Sequence, residues 1–183
     1  MKKIALVFSV ILMLFSCTTK EHKADVAVYK SFQISEIVAM IKSSSNYFEN
    51  DSVGQLVVSM LEHPTNFGLY NRDTLLVEQY MQTLDCNNLI NYTFLPIDTN
   101  KNILVVYDPI PLIEENTAIT ISTTDNIKDL AQLKFLNEEK WAEITEENIS
   151  STFVIAINGE VCGVYKVENK VGDGSCVVTL NKK

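Results

Sequence analysis

The chain has 183 residues, and its 46% hydrophobic and 21% charged content is ordinary for a folded domain. Twenty-three acidic side chains outnumber 15 basic ones, which gives a formal net charge of −8. This balance argues against a nucleic-acid-binding protein, because phosphate recognition needs a basic surface. It also argues against a polybasic contact with a membrane.

The first 17 residues have the layout of a secretory signal. Two lysines precede an apolar run at 4–15, which is shorter than the ~20 residues needed to span a bilayer. The run ends in Leu14-Phe15-Ser16-Cys17, which resembles the bacterial lipobox. That resemblance implies cleavage before Cys17 and attachment of three acyl chains, of the palmitate type, to this residue. The alternative is an ordinary signal peptide with an incidental cysteine.

Cleavage would leave a lipid-anchored protein of the cell envelope, facing the periplasm or the cell surface. Thr18, and not an aspartate, follows the cysteine, which favours the outer membrane under the sorting rule known for some bacteria. Removing Lys2 and Lys3 leaves 13 basic against 23 acidic side chains, a charge near −10. The segment 18–30 starts with a polar, non-periodic stretch and is predicted to be a tether.

Three amphipathic helices are predicted within 31–108, which we expect to form a helical subdomain. Asn50 or Asp51 is expected to cap the second helix, and Asp73 the third. The expected buried faces are Ile34, Ile37, Val38 and Ile41 in the first helix, Val53, Leu56, Val57, Met60 and Leu61 in the second, and Val77, Tyr80, Met81 and Leu84 in the third.

Strand signals follow the helices. Short runs rich in β-branched and aromatic residues flank a polar turn, and Pro109 and Pro111 then mark the passage into the C-terminal half. The strands predicted over this stretch are 92–95, 103–107, 118–122 and 132–136.

The C-terminal half carries the clearest local signals. Asn137 is expected to cap a helix with Trp141, Ile144 and Ile149 on its inward side. Asn158-Gly159 is the strongest two-residue signal for a β-hairpin. The strands predicted here are 153–157, 161–167 and 175–180. Helices and strands without a βαβ repeat predict an α+β fold, with N-terminal helices followed by a small mixed or antiparallel sheet packed against helices.

The C-terminal helix and hairpin resemble the head of the first periplasmic domain, P1, of SecD and SecDF protein translocase subunits. In that family the helix ends in Thr-x-Glu-Asn-Ile/Val, as Thr145-Glu146-Glu147-Asn148-Ile149 does here. A hydrophobic strand, a tight turn and a valine follow in the family, and Asn158-Gly159 and Val161 match them. The resemblance implies a P1 head-like subdomain at 109–183.

A second stretch resembles the same domain in SecDF chains of the Bacteroidetes. It runs from Asp73-Thr74 through Tyr80-Met81 to Phe94-Leu95-Pro96. Together the two matches cover about 67–180, and they imply that 31–108 is base-like. The chain departs from the family at Cys162-Gly163-Val164-Tyr165, where a proline is usual, and it offers no membrane bundle to couple proton flow to head movement.

Three cysteines remain once Cys17 is acylated: Cys86, Cys162 and Cys176. An odd number leaves at least one thiol unpaired. Cys162 and Cys176 fall in successive predicted strands, so they are the candidate disulfide. The alternative is that both are small buried apolar residues.

Two residues are candidates for an interaction surface. The amide of Asn148 suits a ligand contact or a helix cap, and Tyr165 suits a partner contact or the core. His22 and His63 have no expected partners, and no zinc, nucleophile or phosphate-loop motif is present, so no metal or cofactor is expected.

We therefore expect a non-catalytic, membrane-anchored module that binds polypeptides near the export machinery. One alternative is an envelope lipoprotein that uses the same fold for an unrelated protein ligand, such as a toxin or a partner lipoprotein. An uncharacterised hydrolase is a third and less favoured reading.

Overall fold

The computed structural model describes residues 21–43, 52–62, 69–83, 90–123 and 128–181. The predicted lipidation site Cys17, together with His63 and Cys86, lies outside these residues. The elements in chain order are β1 (Glu21–Lys30), α1 (Ile34–Ser43), α2 (Ser52–Glu62), β2 (Leu69–Tyr70), α3 (Asn71–Thr83), β3 (Asn91–Pro96), β4 (Lys101–Tyr107), β5 (Ile113–Thr123), β6 (Lys128–Lys134), α4 (Glu138–Glu147), β7 (Thr152–Ile157), β8 (Glu160–Lys166) and β9 (Ser175–Asn181).

Six of the described strands form a closed barrel in the order β1-β5-β6-β9-β8-β7, and the other three form a sheet in the order β2-β4-β3. All neighbouring pairs among these strands are antiparallel. The α+β class is confirmed. The prediction of one small sheet packed against helices is wrong, because the larger sheet closes on itself and so leaves no free edge.

The first strand of the barrel lies where the sequence predicted a tether. β1 pairs with β5 on one side and with β7 on the other, so the barrel does not close without it. Ala24, Val26 and Val28 form its inward set at every second position. The tether prediction for 18–30 is therefore wrong from Glu21 onward. The barrel takes strands from both sides of the helical segment, and not from the C-terminal half alone.

The connections of the barrel fall at two ends, because neighbouring strands run in opposite directions. At one end, which we call the terminal end, β1 begins at Glu21 and β9 ends at Asn181. At the opposite end, which we call the helix end, β1 leads into α1 and β6 leads into α4. The three longer insertions into the barrel all enter at the helix end.

Helix α4 covers the helix end, and its start was predicted correctly. The side-chain oxygen of Asn137 accepts a hydrogen bond from the Lys140 backbone N–H at 3.0 Å, as expected of an N-cap. Trp141 and Ile144 are buried as expected. Ile149 is 49% exposed, contrary to prediction, because α4 ends at Glu147 and the helical periodicity does not continue to this residue.

Aromatic rings fill the barrel beneath α4. Trp141 stacks on Phe135 with ring centroids 4.2 Å apart, and its edge meets Phe153 at 6.1 Å. All three side chains are fully buried. Packing of large rings against the inward residues of the strands supplies much of the stabilisation of this part of the chain.

The helices α1 to α3 pack on one face of the β2-β4-β3 sheet. The buried residues of α1 are Ile37, Val38 and Ile41, as predicted, but Ile34, which was predicted to share this face, begins the helix and is 50% exposed. The buried face of α2 is rotated from the prediction, since Gly54 and Val58 are buried while the expected Val53 and Leu56 are exposed. This core also includes Val77, Tyr80, Met81, Leu104 and Val106.

The opposite face of the small sheet packs on the outer wall of the barrel. Leu95 and Val105 meet Val154 in a separate buried cluster, to which Tyr29 and Tyr107 contribute with rings 5.1 Å apart. Alternation along β4 explains this arrangement, since Val105 faces the barrel while its neighbours face the helices. The small sheet therefore stands between two cores and connects them.

Candidate functional site

The predicted interaction residue Asn148 has a structural role. It is buried directly after α4, and its side-chain N–H group donates to the backbone oxygen of Ile144 at 2.9 Å. The backbone oxygen of Asn148 accepts a hydrogen bond from the Ser151 backbone N–H at 3.0 Å. The amide thus satisfies groups at the helix end and has little surface to offer a ligand.

The second predicted interaction residue, Tyr165, packs against the barrel core. Its ring lies 6.0 Å from that of Trp141, and its side chain is only partly accessible. Burial raises the pKa of the Tyr165 hydroxyl above its ordinary value, and the nearby Cys176, Glu168 and Asp173 raise it further. The structure thus places Asn148 and Tyr165 in supporting positions.

The predicted disulfide between Cys162 and Cys176 is absent, and both thiols are free. The antiparallel register of β8 and β9 pairs Gly163 with Leu180. Cys162 lies one residue to one side of this pair, and Cys176 lies four residues to the other. At about 3.4 Å per residue this offset is near 17 Å, well beyond the Cα separation of ~4.4–6.8 Å that a disulfide needs.

Neither the Cys162 thiol nor the Cys176 thiol is activated as a nucleophile. Burial raises the pKa of Cys176 to about 12. Burial, with a smaller contribution from Glu160, raises the pKa of Cys162 to about 12 as well. Both are therefore protonated at neutral pH, whereas reactive cysteines have depressed pKa values. The reading of these residues as small core side chains agrees with their surroundings.

The acidic residues of α4 form a solvated face. Glu138, Glu139, Glu143, Glu146 and Glu147 are all exposed. Three of these carboxylates pair with lysines on the surface, at distances between 2.7 and 3.3 Å. Exposed pairs of this kind contribute little to stability, about 0–1 kcal/mol each. They give no arrangement of paired acids for acid–base chemistry.

A cleft of about 490 Å³ lies beside the start of α4, and Glu115 of β5 lines it. The Glu115 carboxylate accepts hydrogen bonds from the Thr117 hydroxyl at 2.9 Å and from the backbone N–H groups of Leu136 and Asn137. These donors hold the chain as it enters α4. With its oxygens engaged in this way, Glu115 has a structural role, and no motif in the sequence pointed to this residue.

Thr145, which is part of the match to the SecD and SecDF helix motif, also has a structural role. Its buried hydroxyl donates towards the backbone oxygens of Trp141 and Ala142, at 3.0 and 3.1 Å. The same oxygen accepts from the Val171 backbone N–H at 3.0 Å. Thr145 therefore attaches the 167–174 segment to α4.

An apolar groove between α1 and α2 is the best candidate for a binding site. Its volume is about 580 Å³. Buried Val38 and Leu61 contribute to it, and Ile34 contributes a side chain that is 50% exposed. The lining residues are Ile34, Ser35, Val38, Ala39 and Lys42 of α1, and Leu61 and Glu62 of α2.

An ion pair crosses from one helix of the groove to the other. The Lys42 ammonium lies 2.8 Å from the Glu62 carboxylate. The groove therefore combines an apolar surface with a charged pair at the C-terminal ends of both helices. Such a surface suits a polypeptide segment with apolar side chains better than a small polar substrate.

The described residues hold no cluster of three or more histidine, cysteine or acidic side chains suited to a metal ion. None of the four described helices has the length and apolar content that a bilayer span requires.

Comparisons with known proteins give a distant likeness. No family model matches the chain, and no curated protein does. Two solved structures resemble it. One is of SecDF, described as a membrane component that enhances protein export, and the other is of SecDF in its super-membrane-facing form. Both have a TM-score of 0.36 and 15% sequence identity over 85% of this chain. The chain covers 55% of the first structure's chain and 16% of the second's.

Proposed function

We propose that this protein is a non-catalytic, lipid-anchored envelope protein that binds polypeptides and assists protein export. The observation that carries the proposal is the α1–α2 groove. It is apolar, open to solvent, and formed by helices whose buried faces are already satisfied by the small sheet.

Exposed apolar side chains at the groove supply the driving force. Ile34 lines the groove and is 50% exposed, and Leu56, which lies elsewhere on α2, is 47% exposed. Full burial of such a side chain is worth about 1.5–3 kcal/mol, so covering the accessible half of Ile34 would contribute about 1 kcal/mol. Several contacts of this size give weak, reversible binding, as a protein that handles many polypeptides requires.

The charge of the mature chain shapes the choice of partner. At a charge near −10, it repels acidic chains and attracts basic ones. Polypeptide segments that combine apolar and basic residues are therefore the favoured ligands, and their association is expected to weaken as salt increases.

The anchor and the link to export rest on sequence features. Leu14-Phe15-Ser16-Cys17 supports attachment of lipid at the cysteine. The resemblance of 137–161 to the SecD and SecDF head supports a place near the export machinery. Lipid attachment holds the groove within the envelope, through which exported chains pass.

Site-specific photo-crosslinking in intact cells tests the proposal. A photoreactive amino acid replaces Ala39 in the groove, and in a matched control it replaces Lys140 on the exposed face of α4. We expect adducts with exported polypeptides at position 39 that disappear when export is blocked, and few at position 140. Equal adducts at both positions would refute the groove. A single discrete partner that persists without export would refute the export role and favour a dedicated protein ligand.

A further inference from the structure

The two ends of the barrel differ sharply in what they carry. At the helix end, 82 residues separate β1 from β5, 17 separate β6 from β7, and eight separate β8 from β9. At the terminal end, the connections have only four residues between β5 and β6 and two between β7 and β8. All four described helices, and with them the α1–α2 groove, enter from the helix end.

The N-terminal strand begins at the other end, very close to the proposed lipid. Only three residues separate Cys17 from Glu21, the first residue of β1. An extended chain spans at most ~3.6 Å per residue, so the two Cα atoms lie no more than about 14 Å apart. This bound depends on the length of the chain alone.

We infer that the terminal end of the barrel lies against the phospholipid headgroups, and that the helix end, with α4, is held on the side away from the membrane. The inference rests on the lipid anchor of the proposed function. It adds an orientation that lipidation alone does not supply, since a long tether would allow any face of the barrel to approach the bilayer.

The height of the barrel sets the distance of the helix end from the lipid. β1 has ten residues, and a strand rises about 3.4 Å per residue. With the usual barrel tilt of about 40°, the barrel is about 25 Å high. Helix α4, which covers the helix end, therefore stands about 25 Å from the headgroups.

The tether, and not attraction by the surface, enforces this orientation. Among the residues that the structure describes, the exposed side chains near the terminal end include Lys23, Asp25, Glu160 and Leu130, a set of mixed charge with one apolar member. Such a set forms neither a basic patch for anionic lipids nor an apolar face for insertion. Lengthening the tether should therefore abolish the orientation while leaving the protein bound.

Fluorescence quenching on vesicles tests the orientation. The lipidated protein, purified from membranes, is bound to vesicles of phosphatidylcholine and phosphatidylglycerol that carry a nitroxide on the headgroup. A coumarin-bearing amino acid replaces either Lys23 near the terminal end or Glu147 at the helix end, both of which are exposed. We expect several-fold stronger quenching at position 23 than at position 147.

Two variants separate the orientation from the anchor. Inserting 20 Gly/Ser residues between Lys20 and Glu21 gives a tether with an end-to-end distance of about 25 Å, which should remove the difference between positions. Cys17→Ser, expressed without residues 1–16 so that no apolar leader remains, should remove vesicle binding and all quenching.

Failure of the purified protein to bind vesicles would overturn the anchor. Binding with equal quenching at the two positions, or with stronger quenching at position 147, would overturn the orientation while the anchor stands. The same contrast between positions in the long-tether variant would show that the tether does not cause it, and would overturn the inference too.

Discussion

Replacement of Gly163 by alanine tests how the barrel closes. β8 and β9 share only the pairs Gly163–Leu180 and Val164–Thr179, far fewer than the other neighbouring strands of the barrel share. A Cβ atom at position 163 would lie 2.4 Å from the Thr179 backbone oxygen and 2.9 Å from a Val178 methyl carbon. The first contact is with backbone, which has no rotamer to change.

The expected cost follows from that clash. Overpacking a well-filled site typically destabilises a protein by about 1–3 kcal/mol. We expect the upper part of this range for Gly163→Ala, because relief requires β9 to move away from β8 where they have few other pairs. Since small domains are stable by only ~5–15 kcal/mol, the loss is large.

Urea unfolding followed by tryptophan fluorescence measures the cost. Trp141 is the only tryptophan and is fully buried against Phe135, so its emission reports the intact barrel. The matched control is Gly172→Ala, whose Cβ would have no atom within 4 Å and whose backbone lies outside the positive-φ region. We expect the control to remain within about 0.5 kcal/mol of the wild type. A Gly163→Ala variant as stable as the control would refute this account of barrel closure.

Three further predictions concern the Thr145 hydroxyl, the buried Cys176 thiol and the groove. Thr145→Val should lower the free energy of unfolding by about 1–3 kcal/mol, because the Val171 backbone N–H loses its acceptor. Thr145→Ser keeps a hydroxyl at this position and should retain most of the wild-type stability. Equal urea midpoints for the two variants would contradict this. Since burial raises the pKa of Cys176 from 9.0 to about 12, its contribution is complete below pH 9 and is lost as the pH rises towards 12. Stability of the wild type should therefore fall more over that window than that of Cys176→Ala, and parallel pH profiles would count against it. Ile34→Ser should reduce polypeptide crosslinking from the groove with little change in stability. Leu75→Ser on α3, at a side chain that is 59% exposed, is the matched control and should leave crosslinking unchanged. Equal losses of crosslinking in the two variants would refute the groove as the binding site.

The C-terminal hairpin was predictable because its signal is local. Asn158 and Gly159 both adopt positive φ, at 52° and 81°, which a two-residue hairpin turn of this type requires. Asparagine and glycine are the residues that reach this region at lowest cost. The N-cap at Asn137 is local in the same sense, since a side chain and a backbone N–H three residues later suffice to form it.

Closure of the barrel was not predictable in the same way. β1 pairs with strands that begin about 90 and 130 residues after its own start, and nothing in its own sequence specifies those partners. Its polar start at Glu21 resembles a tether as much as a strand. The prediction of a disulfide between Cys162 and Cys176 was wrong for a related reason, because proximity in sequence does not determine the register of two strands.

The candidate groove depends on which face of each helix is buried. Periodicity identified Ile37, Val38 and Ile41 correctly, yet on α2 it selected Val53 and Leu56, which the structure exposes. Apolar residues surround α2 on several sides, so its sequence leaves the buried face ambiguous. Only the packing shows which of these apolar side chains remain exposed.

The most direct test of the central claim is the mass of the N-terminal peptide of the protein isolated from membranes. The account predicts a chain that begins at Cys17, with a diacylglyceryl group on the sulfur and an acyl chain on the amino group. An unmodified Cys17 thiol, or a mature protein that still begins at Met1, would contradict the lipid anchor and the membrane orientation derived from it.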